Sequence, residues 1–118
     1  MATTSTRSTV INFTGDVNAP EVVTAAANLV SPAAIELKTF TGAGANTVTV
    51  PTGGSTVTAV TIIPPAGNVQ TITLKGVTGD TGVPLHPTDH TVVALAAATV
   101  NFVLTVGGTI TGLRLVWS

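Results

Sequence analysis

Threonine alternates with aliphatic residues along most of this chain, and that alternation is the feature that most constrains its fold. The segments TVTV, STVTAVTII and TITL carry β-branched residues at most positions, and short stretches rich in Gly and Pro close them. A β-branched side chain packs well on a pleated sheet and loses rotamer freedom in a helix. Period-two alternation bounded by Gly and Pro is typical of strands. The sequence therefore predicts an all-β protein.

The predicted strands follow one another at spacings of about 8–12 residues, which is typical of a sandwich or small barrel. We expect about eight or nine strands in an antiparallel β-sandwich or small β-barrel of jelly-roll or immunoglobulin-like type. Residues 21–30 are the one place where a short helix is conceivable, although Val22, Val23 and Thr24 favour a strand or irregular structure. The other predicted strands are 9–13, 35–40, 45–51, 55–65, 69–74, 91–96, 99–106 and 109–117.

Turn residues and polarity predict how these strands are organised. The turn PTGGS lies between the strands at 45–51 and 55–65, and Gly107 and Gly108 lie between the last two strands, so two hairpins are expected. Residues 1–8 are polar and are predicted to form a flexible N-terminal arm. No linker interrupts residues 9–118, which are expected to form a single domain.

Charged residues make up only 8% of the chain, with a net charge of -1. An ordinary surface carries about a quarter or more charged residues, which keep a protein dissolved and monomeric. Here Thr, Ala, Gly, Ser and Asn must cover the outside, and they lose little desolvation energy when a partner buries them. We therefore expect an oligomer or a larger assembly. The alternative is a stable monomer whose surface does not bind other proteins.

The distribution of charge and hydropathy also excludes partners. Nucleic-acid binding normally depends on clustered Lys and Arg, whereas the four cations here stand singly along the chain. The most apolar run, TVVALAAATVNFVLTV, is shorter than the roughly 20 residues of a membrane span. The first residues contain no apolar block of signal-peptide length. We expect neither a nucleic-acid partner nor a membrane.

The segment from 71 to 93 holds most of the polar chemistry of the chain. His86, Asp89 and His90 form an H-x-x-D-H pattern whose side chains could ligate a divalent metal. Pro84 and Pro87 exclude a helix, so the spacing does not place these groups on one face. We interpret them as solvated or interface residues and predict no metal site, although an ion on a symmetry axis stays an alternative.

Other candidate sites are also better explained by structure. GVTGDTG at 76–82 resembles a phosphate cradle only in its glycines, and Asp80 alone is too few oxygen ligands for calcium, so a turn is predicted. The chain has no Cys, and its serines have no neighbouring His. We predict that the protein is not an enzyme and has no catalytic residues and no cofactor. Trp117 is expected to fill the core; the alternative is a sugar-binding platform.

The segments ITLKGVTGDTGVPLHPTD and NFVLTVGGTITGLRLVWS resemble the C-terminal β-rich stretch of small virion proteins of tailed bacteriophages, most of all head decoration (cement) proteins. The likeness covers about the last 50 residues. It implies a structural protein that oligomerises, commonly as a homotrimer, and binds the major capsid protein on the capsid exterior after assembly in the host cytoplasm. A phage tail or head-fibre component, and more distantly a carbohydrate-binding β-sandwich module, are the alternatives.

Overall fold

The structure is a computed structural model that describes residues 3–5, 8–11, 21–24, 28–30, 35–51, 57–96 and 98–118. In the first four of these ranges only the backbone and its pairing are described. They form four short strands: β1 (Thr3–Ser5), β2 (Ser8–Ile11), β3 (Glu21–Thr24) and β4 (Asn28–Val30). Strand β1 pairs with β4 and β2 pairs with β3, both antiparallel.

These short strands bear on two predictions. The described parts of 21–30 are strands, as the β-branched residues at 22–24 favour, and not a helix. Strand β2 corresponds to the strand predicted at 9–13, of which residues 12 and 13 lie outside the described residues. Residues 3–5 of the predicted arm take part in a two-stranded ladder, and the flexibility of the arm stays a prediction.

The rest of the chain forms two four-stranded antiparallel sheets that pack face to face. The first, which we call sheet I, has the order β10-β7-β12-β5, and the second, sheet II, has the order β6-β11-β8-β9. The all-β sandwich of eight or nine strands is therefore confirmed, with eight strands in its two sheets. Their bounds are β5 (Ile35–Phe40), β6 (Gly44–Thr49), β7 (Ala59–Ile63), β8 (Ile72–Lys75), β9 (Val83–Leu85), β10 (Thr91–Ala94), β11 (Asn101–Val106) and β12 (Ile110–Trp117).

The strand pairing follows a nested pattern. The first of the eight strands pairs with the last, the second with the seventh, the third with the sixth and the fourth with the fifth. Successive pairs alternate between sheet I and sheet II. Two sheets with eight strands connected in this way are the architecture of a jelly roll. Of the alternatives predicted from the sequence, the structure thus has the jelly-roll sandwich and not a barrel.

Both hairpins predicted from turn residues are wrong. Strands β6 and β7 lie in different sheets, and so do β11 and β12, because consecutive strands of a jelly roll cross from one sheet to the other. Gly107 instead serves a close approach: its N–H donates to the Thr71 carbonyl at 3.0 Å, and a Cβ there would lie 2.4 Å from Thr71 Oγ1. Within sheets I and II as the structure describes them, β8 and β9 are the strands that are both consecutive in the sequence and paired.

Strand β9 was not predicted, because its Pro84 is typical of a loop. Proline lacks an N–H and is tolerated in a sheet only where that donor is not needed. Here β9 lies at the edge of sheet II and Pro84 stands opposite Thr73 of β8. The edge position explains how a proline-containing segment can still pair.

The core lies between the two sheets and is aliphatic with three buried aromatic rings. Alternate residues of the strands face inward, as the period-two pattern predicts. Phe102 of β11 and Trp117 of β12 meet across the core with their ring centroids 6.1 Å apart and inclined at 52°. The buried cluster is Phe40, Val48, Val50, Val57, Val60, Ile62, Ile72, Phe102, Leu104, Val106, Ile110, Leu113, Leu115 and Trp117. No helix that could span a membrane occurs in the described part of the chain.

Candidate functional site

The outer face of sheet I, here called the apolar face, presents large aliphatic side chains to solvent. Ile35 is 60% exposed, Leu37 72% and Val92 50%. Ile35, Leu37 and Thr39 share the outer face of β5, while Phe40 on the other side enters the core. The described side chains of the apolar face are Ile35, Leu37, Thr39, Thr61, Ile63, Val92, Ala94, Thr111, Arg114 and Val116.

Arg114 is the one charged side chain among these described residues. It stands between Leu37 of β5 and Ile63 of β7 in the ladder, and it is exposed. A sheet face that is solvated in the working protein normally alternates apolar-in with polar or charged-out. The apolar face carries one cation and no acid among its described residues, so water solvates it poorly compared with an ordinary outer face.

The outer face of sheet II is equally poor in charge but consists of small side chains. Thr47, Thr73 and Thr105 lie on it, and Lys75 is the one charge among its described residues. The Thr105 hydroxyl is buried without a hydrogen-bond partner in the described part of the chain. Each of the two outer faces thus carries a single cation among its described residues, in keeping with the low charge of the sequence.

An apolar cleft of about 460 Å³ opens between the sheets on the side of β9 and β10. Six apolar side chains line it. On the side of sheet I they are Val60, Val93 and Leu95, and on the side of sheet II they are Leu74, Val83 and Phe102. Lys75 and Asp80 stand at its rim, and neither histidine lines it. A cleft with this lining can hold apolar groups, but it offers no nucleophile with an adjacent base.

The two polar groups at the rim are used by the turn between β8 and β9. Asp80 Oδ2 accepts a hydrogen bond from the Val77 N–H at 3.0 Å, and the Asp80 N–H donates to the Val77 carbonyl at 3.1 Å. Lys75 Nζ lies 3.5 Å from the Thr78 carbonyl. The prediction that GVTGDTG is a turn at a sheet edge is confirmed, and Asp80 is its capping acceptor.

The H-x-x-D-H residues form an exposed turn. His86 Nδ1 accepts hydrogen bonds from the N–H groups of Thr88 at 3.2 Å and Asp89 at 2.9 Å. Asp89 Oδ2 lies 3.8 Å from the same nitrogen. Because Nδ1 accepts from two amides, the neutral ring carries its proton on Nε2, so neither nitrogen of His86 offers a free lone pair to a metal in this turn. No group of three or more potential metal ligands occurs among the described residues.

Replacing His86 with Ala is expected to lower the free energy of unfolding by about 0.5–1.5 kcal/mol, because the turn loses the acceptor of two N–H groups. His90→Ala is the matched control: His90 is exposed and makes no hydrogen bond within the described residues. Thermal unfolding of both variants would measure the difference. Equal effects of the two substitutions would contradict the role given to Nδ1.

The aromatic side chains that the structure describes do not form a binding platform. Trp117 is 0% exposed, Phe40 and Phe102 are also buried, and Phe13 lies outside the described residues. The prediction that Trp117 fills the core is confirmed, and the alternative of a sugar platform at this residue is wrong. A stacking platform needs an exposed ring face, which the packing of Trp117 against Phe102 removes.

Comparisons of the chain with protein-family models, with curated proteins and with solved structures found no match. The resemblance to phage virion proteins therefore stays a prediction. What the chain does has to be argued from its surfaces.

Proposed function

We propose that this chain is a structural protein of a tailed-bacteriophage virion. In this proposal it binds the capsid exterior as a decoration (cement) protein and stabilises the shell by bridging neighbouring capsomers. Its partners are the major capsid protein and further copies of itself, for which the sequence resemblance implies a trimer. It performs no chemistry and needs no cofactor.

The observation that carries this proposal is the apolar face. Ile35, Leu37 and Val92 are half or more exposed on one sheet surface with Arg114 as its described charge. Large aliphatic side chains exposed together on one sheet face are characteristic of interaction sites. Burying this face against another protein covers mainly aliphatic groups and threonine hydroxyls, and the Arg114 guanidinium is the one described charge that needs an acceptor on the partner.

The architecture supports the proposal by analogy. Jelly rolls with two four-stranded sheets are used in viral capsid domains, and also in lectins and cupins. A fold hosts several functions, so the site has to decide among them. The buried Trp117 removes the aromatic platform that a lectin would use, and the apolar cleft contains no histidine. A protein-binding role agrees with all of these features.

The stabilising mechanism follows from repetition. A shell presents the same contact many times by symmetry, and a rigid clip that touches two neighbours gains avidity from the second contact. No single contact then has to be strong. A sandwich with a packed core and two weakly charged outer faces is suited to this task, because each face can lie against a different subunit.

Replacing Val92 with Asp should weaken attachment to purified phage particles by about tenfold or more, because a carboxylate would be buried at the contact without a partner. Val69→Asp is the matched control, since Val69 is 83% exposed on the loop before β8 and lies outside the apolar face. The measurement is the bound fraction after the particles are pelleted with each purified variant.

Cryo-EM of particles in which this chain is labelled would establish its location. Density on the capsid exterior where capsomers meet is the expected result. Label at the tail or on fibres would replace the decoration role by the tail or fibre alternative. Equal attachment of the Val92 and Val69 variants, or no label on any particle, would contradict the proposal.

A further inference from the structure

Strand β5 is a six-residue edge of sheet I, and its two charged side chains, Glu36 and Lys38, are opposite in sign. It pairs with β12 on one side and has no partner on the other among the described strands. All six of its residues, from Ile35 to Phe40, pair with β12, which bulges between Thr111 and Leu113, and none of the six is proline. The edge strand β9 of sheet II has only three residues and contains Pro84. Edge strands of this length present unpaired N–H and carbonyl groups that can pair with another strand.

The side chains of β5 form a pattern that is complementary to itself. Glu36 and Lys38 lie on one face, where Lys38 Nζ is 3.1 Å from Glu36 Oε2, and Leu37 lies between them on the other face. In an antiparallel second strand the order Glu-Leu-Lys is reversed, so a lysine of that strand can lie opposite the glutamate of the first strand. Strand β6 is an edge of the same length, but it carries no charged residue that could fix a register.

We propose that β5 pairs antiparallel with β5 of a second copy of this chain. The twofold axis passes between the two strands at the level of Leu37, so that Leu37 lies opposite its own copy. Glu36 then lies opposite Lys38 of the second copy, and Lys38 opposite its Glu36. The two Leu37 side chains meet on the apolar face. The contact joins two four-stranded sheets into one continuous sheet and extends the apolar face across both copies.

Symmetry restricts the possible registers to a few. Directly opposed residues of an antiparallel pair point to the same face of the sheet, and a twofold axis normal to the sheet preserves each face. One residue of β5 must therefore lie directly opposite its own copy, and two successive residues cannot be opposed to each other. An axis at residue 36 opposes Glu36 with its own copy, and an axis at residue 38 opposes Lys38 with its own copy. Only the axis at Leu37 places opposite charges together.

The pairing also uses groups that the single chain leaves exposed. Leu37 is 72% exposed in the single chain, and the contact would bury part of it against its own copy. The ion pair within one strand becomes part of a ladder of four alternating charges, and directly opposed side chains lie about 4.5–5.5 Å apart at their Cβ atoms. This inference rests on the self-association proposed above, and it adds a twofold contact between copies that is distinct from the contacts of a trimer.

Charge reversal provides a test by analytical ultracentrifugation of the full chain over a range of concentrations. The unaltered chain should form a twofold dimer or an assembly built from such dimers. Glu36→Lys alone and Lys38→Glu alone should each raise the dissociation constant of the dimer about tenfold or more, since both cross-strand pairs become like-charged. Lys75→Glu makes the same charge change as Lys38→Glu, but on sheet II, and should leave the dissociation constant unchanged.

Mixing the two single variants provides the sharper test. A strand with Lys at 36 and 38 is complementary to one with Glu at both positions, so the mixture should form a heterodimer that neither variant forms with itself. The double variant Glu36→Lys, Lys38→Glu should dimerise like the unaltered chain. Circular dichroism and melting of each variant would show that the domain is folded.

Three results would overturn the inference. Mixed single variants that are folded and do not associate would remove the charge ladder. An assembly that the β5 reversals affect no more than Lys75→Glu, such as a trimer, would remove this contact and leave the proposed self-association in place. A chain that stays monomeric at all concentrations would count against both.

Discussion

Replacing Trp117 with Ala is expected to lower the free energy of unfolding by about 3–5 kcal/mol, which is the range for aromatic-to-alanine changes in a core. Trp117 is the largest fully buried side chain and packs across the sandwich against Phe102. Domains of this size have a total stability of about 5–15 kcal/mol, so one substitution removes a large share. With about 4 °C of melting temperature per kcal/mol, the midpoint should fall by roughly 12–20 °C.

Trp117→Phe separates the volume of the ring from its polar group. The indole Nε1 is buried without a hydrogen-bond partner in the described part of the chain, and an unsatisfied buried donor is itself destabilising. Phenylalanine loses packing volume but removes that donor, so its cost should be well below that of alanine. Val92→Ala, at an exposed position, is the control. A loss below about 1 kcal/mol for Trp117→Ala would contradict the placement of this ring in the core.

The sequence predicted the class of fold because strand formation and burial follow local rules. Period-two alternation separates Leu37 from Phe40 without saying which of them is buried, and the β-branched residues of 59–63 form β7 in the interior of sheet I. Pairing follows a different rule, since the partner of β5 is β12, at the other end of the domain. Nothing in a short window around Ile35 indicates that partner, and two plausible hairpins were therefore wrong.

The candidate surfaces were predictable only in part. Low charge indicated a protein that packs against others, but the composition could not say which residues carry the contact. Identifying the contact residues required the strand register, which places Ile35 and Val92 on one outer face with Arg114 between their strands. For Leu37, the sequence signal was the alternation of residues 35–40, which puts it on the opposite face from Phe40. The cleft beside Val83 had no sequence signal, because its walls come from strands in both sheets.

The turn before β9 provides a prediction that depends on backbone conformation and on space together. Gly82 has a φ of +78°, which costs a non-glycine residue about 1–2 kcal/mol. A Cβ at this position would also lie 2.6 Å from the Leu74 carbonyl oxygen and 2.6 Å from Lys75 Cγ. The carbonyl belongs to the β8 backbone, which cannot move without opening the β8–β9 ladder.

Gly82→Ala is therefore expected to lower the free energy of unfolding by about 2–5 kcal/mol, combining strained φ with overpacking. Gly67 is a matched control, because its φ is +75° and a Cβ there meets nothing within 4 Å. Gly67→Ala should cost only the conformational part, about 1–2 kcal/mol. Denaturant unfolding of the two variants measures the difference, which isolates the clash with Leu74. Equal losses would mean that β9 does not hold the chain as close to β8 as the register requires, and the hairpin that closes the jelly roll would have to be redrawn.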